Sequence, residues 1–186
     1  MKNYLIHNQF IVTLDVDKNL FKRLRLLAQT SVNVVEINTS DIALLQTIMT
    51  EFKQLHIGVG NITNIQQLEA CYQAGVSFAS SLGFSHNLAK TALVYSMEYL
   101  PGISTMSDAM QLMDIGYTQA KNYPANLAFC TSLNTYLPEL QLLPTTIDWQ
   151  HAAAYLTLKS VMAVSVLNPT DEIIHTIVKT AELAPA

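Results

Sequence analysis

Charge is scarce in this sequence. Asp, Glu, Lys and Arg make up 13% of 186 residues, and ten basic against fourteen acidic side chains leave a formal net charge of −4. That balance excludes the broad basic footprint of a nucleic-acid or anionic-lipid binder. The one basic group, Lys18, Lys22, Arg23 and Arg25, reads as the solvated face of a helix. Cysteine is almost absent: Cys71 and Cys130 lie in apolar surroundings without CxxC or Cys/His spacing, so buried thiols are favoured over a disulfide or zinc site. The histidines at 7, 56, 86, 151 and 175 form no HExxH-type cluster, and neither a metal nor another cofactor is expected. Polar residues interrupt every apolar stretch before it could span a bilayer, and the start Met1-Lys2-Asn3-Tyr4 lacks a signal-peptide core. No membrane association is therefore expected, and a cytoplasmic location is. Glycine is also sparse, and no GxGxxG turn follows the first strand, which removes the commonest dinucleotide-binding fold.

Apolar character is plentiful instead. Half of the residues are hydrophobic, enough for one domain over residues 1–186 with a sizeable core, or with surface left for a partner subunit. Strand-like segments recur about every twenty to twenty-five residues with helical patterns between them. They read as Gln9 to Leu14, Val32 to Asn38, His56 to Gly60, Val76 to Ser80, Met97 to Leu100, Gln119 to Tyr123, Leu140 to Leu143 and Val161 to Val166. Helix entries are marked by Asn64, by Asp108 in a first turn, and by Pro169-Thr170-Asp171-Glu172. Alternation of this kind predicts an α/β fold with a parallel sheet, and eight units can close into a (β/α)8 TIM barrel; an open doubly wound sheet is the alternative.

In such a barrel the working residues sit at the C-terminal ends of the strands. Two ionisable residues lie inside strands rather than beyond them: Glu36 on the second and Lys121 on the sixth. Charges placed there are costly unless paired. A desolvated amine is a usable nucleophile toward a ketone, and a carboxylate beside it can carry protons through carbinolamine, imine and enamine stages. The plainer reading of the same residues is a structural ion pair. Trp149, His151, His175 and the methionines at 97, 106, 110, 113 and 162 read as packing or surface residues.

The stretch Tyr99-Leu100-Pro101-Gly102-Ile103-Ser104-Thr105, followed by Gly116-Tyr117-Thr118-Gln119-Ala120-Lys121-Asn122-Tyr123-Pro124-Ala125, carries a P-G-[IV]-x-T loop and a K-x-aromatic-P-[AG] strand end. In both it resembles the 2-keto-3-deoxy-6-phosphogluconate (KDPG) and 4-hydroxy-2-oxoglutarate (KHG) aldolases. The resemblance runs in register from about Phe10 to Val166, through Val34-Val35-Glu36-Ile37, Ile57-Gly58-Val59-Gly60 and Pro144-Thr145. It implies a class I aldolase that cleaves a 2-keto-4-hydroxy acid to pyruvate and an aldehyde, with Lys121 as the imine-forming residue and Glu36 as the proton carrier. It also implies a homotrimer, a small 2-keto acid as the only other partner, and Ser40, Asn61, Tyr123 and Thr145 at the substrate-binding positions.

At several of these positions the chain departs from the family pattern. Ser40 stands where the family has an arginine that holds substrate anions, Asn61 replaces a threonine, Leu82 a proline, and Tyr123 an aromatic without a hydroxyl. A P-T-G-G-[IV] loop has become Pro144-Thr145-Thr146-Ile147, and the glycine-and-serine loop of the eighth strand has become Ser165-Val166-Leu167-Asn168. Side chains there obstruct close backbone approach to a phosphate, so an unphosphorylated substrate is expected. The competing reading is an aldolase-like barrel that has lost turnover and serves as a binding or regulatory protein.

Overall fold

A computed structural model of the chain describes residues 9–183, so the readings of Met1 to Tyr4 and of His7 lie outside the described residues. Strands and helices alternate in the order β1 (Phe10–Asp15), α1 (Leu20–Leu27), β2 (Val34–Asn38), α2 (Ile42–Glu51), β3 (His56–Val59), α3 (Ile65–Ala74), β4 (Phe78–Ser80), α4 (His86–Val94), β5 (Tyr99–Leu100), β6 (Gly102–Ile103), α5 (Met106–Asp114), β7 (Gln119–Asn122), α6 (Leu127–Tyr136), β8 (Gln141–Pro144), a 3-10 turn (Trp149–His151), α7 (Ala152–Leu156), β9 (Val164–Leu167) and α8 (Asp171–Leu183). The strand ladders are parallel, as helical crossovers require. They form a six-stranded sheet in the order β5-β4-β3-β2-β1-β9 and a three-stranded sheet in the order β6-β7-β8. The first strand thus lies between the second and the last, and the parallel sheet curls.

Pro101 explains why the fifth unit's strand, expected as one piece, is two. It has no N–H to continue a ladder. On one side of it Ser81 N–H donates to Leu100 O at 3.2 Å, and beyond it the chain changes partner, with Lys121 N–H donating to Pro101 O at 2.9 Å and Tyr123 N–H to Ile103 O at 3.3 Å. The last strand, expected from Val161, pairs regularly only from Val164. Val161 instead makes an isolated parallel bridge to Leu142. Met162 N–H donates to Leu142 O at 3.0 Å and Ile147 N–H to Ser165 O at 3.1 Å, and these bonds link β8 to the β9 segment.

Side chains alternate along each strand, so one face of the curled sheet turns outward to the helices. That outer face and the helices share the larger core cluster, in which Val12, Leu14, Val35, Ile37, Ile57 and Val59 are buried. The inner face carries a smaller cluster of Ile11, Val34, Phe78, Leu100, Leu143 and Ala163. Phe78 fills the space over Gly58, where an added Cβ would lie 2.2 Å from its ring. Both thiols are buried, as expected, and desolvation pushes Cys71 up to about 11 and Cys130 up to about 12. Met97 is core and Met110 is exposed.

The loops that follow the strands are tied down by helix caps. Asp41, Asn64, Ser85 and Asn126 each accept a hydrogen bond from the third residue of the helix they open, and Thr105 with Asp108 forms a reciprocal capping box. Asn122, at the end of β7, accepts from Asn126 N–H at 3.0 Å and donates to Ile103 O at 3.3 Å, which fixes the loop after the lysine strand. Of the basic group, Lys22 and Arg25 on α1 are exposed while Arg23 is largely covered, and all three are paired, Lys22 with Asp171, Arg23 with Asp17 and Arg25 with Glu51; Lys18 lies in the loop before the helix. No described helix is long and apolar enough to cross a membrane.

Candidate active site

Two residues beyond the inner apolar cluster, on the same face of each strand, the chemistry changes from hydrocarbon to polar. Ile11 is succeeded by Thr13, Val34 by Glu36, Phe78 by Ser80, Leu143 by Thr145 and Ala163 by Ser165, and all five of these polar residues are buried. Lys121, on β7, reaches into this layer. Its Nζ lies 2.7 Å from Glu36 Oε1, with the two residues 2% and 1% exposed. The pair expected from the sequence is therefore in direct contact, across 85 residues of chain.

Ser80 completes a triangle that sequence reasoning missed. Its hydroxyl accepts from Lys121 Nζ at 3.0 Å and donates to Glu36 Oε2 at 2.6 Å. Thr13 Oγ1 lies 3.4 Å from Glu36 Oε1 and is itself hydrogen-bonded to Ser165 Oγ. Both carboxylate oxygens are thus addressed, which a buried charge requires. The available signal was the two-residue alternation that puts these hydroxyls on the face of Glu36, but serine and threonine in strands are too common to stand out alone. Gly60 makes room for the carboxylate: a Cβ there would lie 2.9 Å from Glu36 Oε1 and 2.2 Å from Asn38 Oδ1.

The other expected site residues are spread differently. Thr145 lies in the polar layer, 1% exposed, and its Oγ1 has no hydrogen-bond partner among the described residues. Tyr123 is half-buried beside a cis bond to Pro124 at the end of the lysine strand. Ser40 and Asn61 are exposed in the loops after β2 and β3, Asn61 in the left-handed region at φ 61°. None of the described hydrogen bonds of Glu36 or Lys121 reaches Ser40, Asn61, Tyr123 or Thr145. Among the described residues no group of three His, Cys, Asp or Glu is arranged to hold a metal.

A buried amine in contact with a carboxylate, joined by a hydroxyl that bonds both, can move a proton between them without solvent. Residues 7–176 match the family model described as KDPG and KHG aldolase. The chain belongs to this aldolase family. It is 34% identical over 134 residues to the 2-dehydro-3-deoxy-phosphogluconate aldolase of Dickeya dadantii; the match covers 68% of this chain and 63% of that protein, so the chain spans less than two thirds of that relative's length. The 2-keto-3-deoxy-6-phospho-gluconate aldolase of Zymomonas mobilis shares the fold, with a TM-score of 0.81 at 22% identity over 96% of this chain and 92% of that one. The KDPG aldolase of Legionella pneumophila, solved with pyruvate captured as a covalent carbinolamine, does so with a TM-score of 0.80 at 22% identity over 96% and 93%.

Within this aldolase family member, the loops after β8 and β9 have an unusual build. Thr146 has φ 57° and Asn168 φ 45°, so a β-branched residue and an asparagine occupy left-handed backbone that favours glycine. Amides there are also already engaged: Thr145 N–H with Asn122 O at 3.2 Å, Ile147 N–H with Ser165 O at 3.1 Å and Asn168 N–H with Thr13 O at 2.8 Å. Those donors are not available to cradle an anion.

Proposed function

We propose that the chain is a class I aldolase, a carbon–carbon lyase working in a single closed (β/α)8 barrel over residues 1–186, which cleaves an unphosphorylated 2-keto-4-hydroxy acid to pyruvate and an aldehyde. One observation carries the reading: the 2.7 Å contact between Lys121 Nζ and Glu36 Oε1 inside a buried polar layer. Glu36 takes a proton from the Lys121 ammonium, and the free amine adds to the C2 carbonyl to give a carbinolamine. Glu36 returns that proton to the carbinolamine hydroxyl, which leaves as water, and the protonated imine and the Glu36 carboxylate remain. Glu36 then removes the proton of the C4 hydroxyl, the C3–C4 bond breaks with its electrons flowing into the imine, and the aldehyde departs from an enamine. Protonation of the enamine at C3 and addition of water release pyruvate and restore the amine. The covalent carbinolamine of the Legionella protein is a precedent for the first step.

Ser80 holds the carboxylate and amine in register through these exchanges, while Ser40, Asn61, Tyr123 and Thr145 contact the substrate from the strand ends. The occupied amides and side chains of the β8 and β9 loops support an unphosphorylated substrate. The exposed apolar side chains Val94, Met110 and Tyr136, with the low charge content, support a homotrimer, and the two free buried thiols suit the reducing cytoplasm. The test is pyruvate release from 2-keto-3-deoxygluconate and from 2-keto-3-deoxy-6-phosphogluconate, with light scattering on the same sample. Turnover of the first without preference for the second, from a trimer, is the expected result. No cleavage of any 2-keto-4-hydroxy acid would leave a binding protein on an aldolase scaffold.

A further inference from the structure

One layer nearer the strand ends than the Lys121–Glu36 pair, the inner face carries a carboxylate. Asp15 follows Thr13 by two residues on β1, Asn38 follows Glu36 by two on β2, and the ladder places Asp15 directly beside Asn38. Both carboxylate oxygens are held: Asn38 Nδ2 donates to Oδ1 at 2.8 Å and Asn168 Nδ2 to Oδ2 at 2.7 Å. Asp15 N–H in turn donates to Asn168 Oδ1 at 2.9 Å and Asn168 N–H to Thr13 O at 2.8 Å, so three hydrogen bonds tie β1 to the loop after β9. Asn38 Oδ1 is buried and has no hydrogen-bond partner among the described residues. It lies with Glu36 Oε1 over Gly60, where an added Cβ would be 2.2 Å from the carbonyl oxygen and 2.9 Å from the carboxylate oxygen.

The polar character of this layer is that of an acceptor. The two carboxamides direct N–H groups at Asp15, and the atom left over beside the catalytic carboxylate is a carbonyl oxygen. On the outer rim Lys22 and Arg23 are paired with Asp171 and Asp17, which leaves Lys18 as the exposed base of the loop after β1. A phosphate needs donors and positive charge, whereas a hydroxyl needs an acceptor. We propose that Asp15, fixed by Asn38 and Asn168, is a specificity-determining residue that selects uncharged, hydroxyl-bearing aldehyde portions of the substrate and repels phosphorylated ones. The inference rests on the aldolase reading above and names the chemical class that the site accepts.

The test is aldol addition of pyruvate to D-glyceraldehyde and to D-glyceraldehyde 3-phosphate by the full chain, read as the ratio of the two kcat/KM values. Borohydride trapping of pyruvate on Lys121 is run in parallel as the control for imine formation. The unmodified protein favours glyceraldehyde by about tenfold, the scale of repulsion between a carboxylate and a phosphate near solvent. Asp15→Asn and Asp15→Ser move the ratio toward or past unity while the pyruvate adduct persists. A persistent adduct with an unchanged ratio in both variants would overturn the role of Asp15 and leave the aldolase reading standing. A preference of the unmodified protein for the phosphorylated aldehyde would do the same, even if neither variant folds. Absence of any adduct in the unmodified protein would remove both.

Discussion

Replacing Ser80 by alanine tests the geometry of the site through a residue that forms no covalent bond with substrate. The hydroxyl is 0% exposed and makes two bonds to charged groups, accepting from Lys121 Nζ at 3.0 Å and donating to Glu36 Oε2 at 2.6 Å. Alanine removes both and leaves one carboxylate oxygen and one ammonium hydrogen without that partner. Hydrogen bonds to charged groups contribute roughly 1.5–3 kcal/mol each, and a shared hydroxyl makes the two losses less than additive, so the expected destabilisation is about 2–4 kcal/mol. Urea unfolding measures it, with an unchanged slope as the sign that the end states are the same. The same substitution frees the carboxylate to rotate, and a misplaced general base slows proton transfer. Deuterium exchange at the pyruvate methyl group, followed by proton NMR, is expected to fall by about tenfold to a hundredfold. Ser80→Thr keeps the hydroxyl and recovers part of both effects. If Ser80→Ala lost less than about 0.5 kcal/mol and exchanged protons at the original rate, the triangle would have no energetic reality.

Two further outcomes follow from the backbone and the thiols. Thr146→Gly relieves a β-branched residue at φ 57° and is expected to stabilise the protein by about 1 kcal/mol in urea, less the entropy glycine adds to the unfolded chain; a loss of stability would contradict the strain. Cys71 and Cys130, with thiols pushed up to about 11 and about 12 by burial, remain protonated and unreactive toward a disulfide reagent at pH 8 until the chain unfolds. Because these acids have folded-state pKa values above their unfolded ones, their contribution is fully present below the ordinary thiol range. It is lost as pH rises toward 11 to 12, so the urea midpoint is expected to decline from about pH 9 upward.

Lys121 and Glu36 were legible in the sequence because a charge inside an apolar strand is unusual, and the alternation of strands and helices was legible because its periods differ. The breaks were not. Pro101 is plain in the sequence, but its effect, the handover of one strand from β4 to β7, depends on which neighbours lie at either side. The triangle with Ser80 and the clamp on Asp15 were illegible for another reason: the contacts join residues 41, 44 and 153 positions apart, and none has a local pattern. Reading every second residue on from the inner apolar cluster would have recovered Thr13, Ser80 and Ser165 once the strand register was known. Asn168, in the loop after β9, falls outside even that rule.

The chemistry proposed for the site requires that Lys121 forms an imine with pyruvate. The measurement that bears on it most directly is incubation of the protein with pyruvate and borohydride, followed by peptide mass analysis. One reduced pyruvate adduct is expected, located on the peptide that contains Lys121, slower to form in the Glu36→Gln protein and absent from Lys121→Ala. An unmodified Lys121 peptide, or an adduct on another lysine that survives Lys121→Ala, would contradict it.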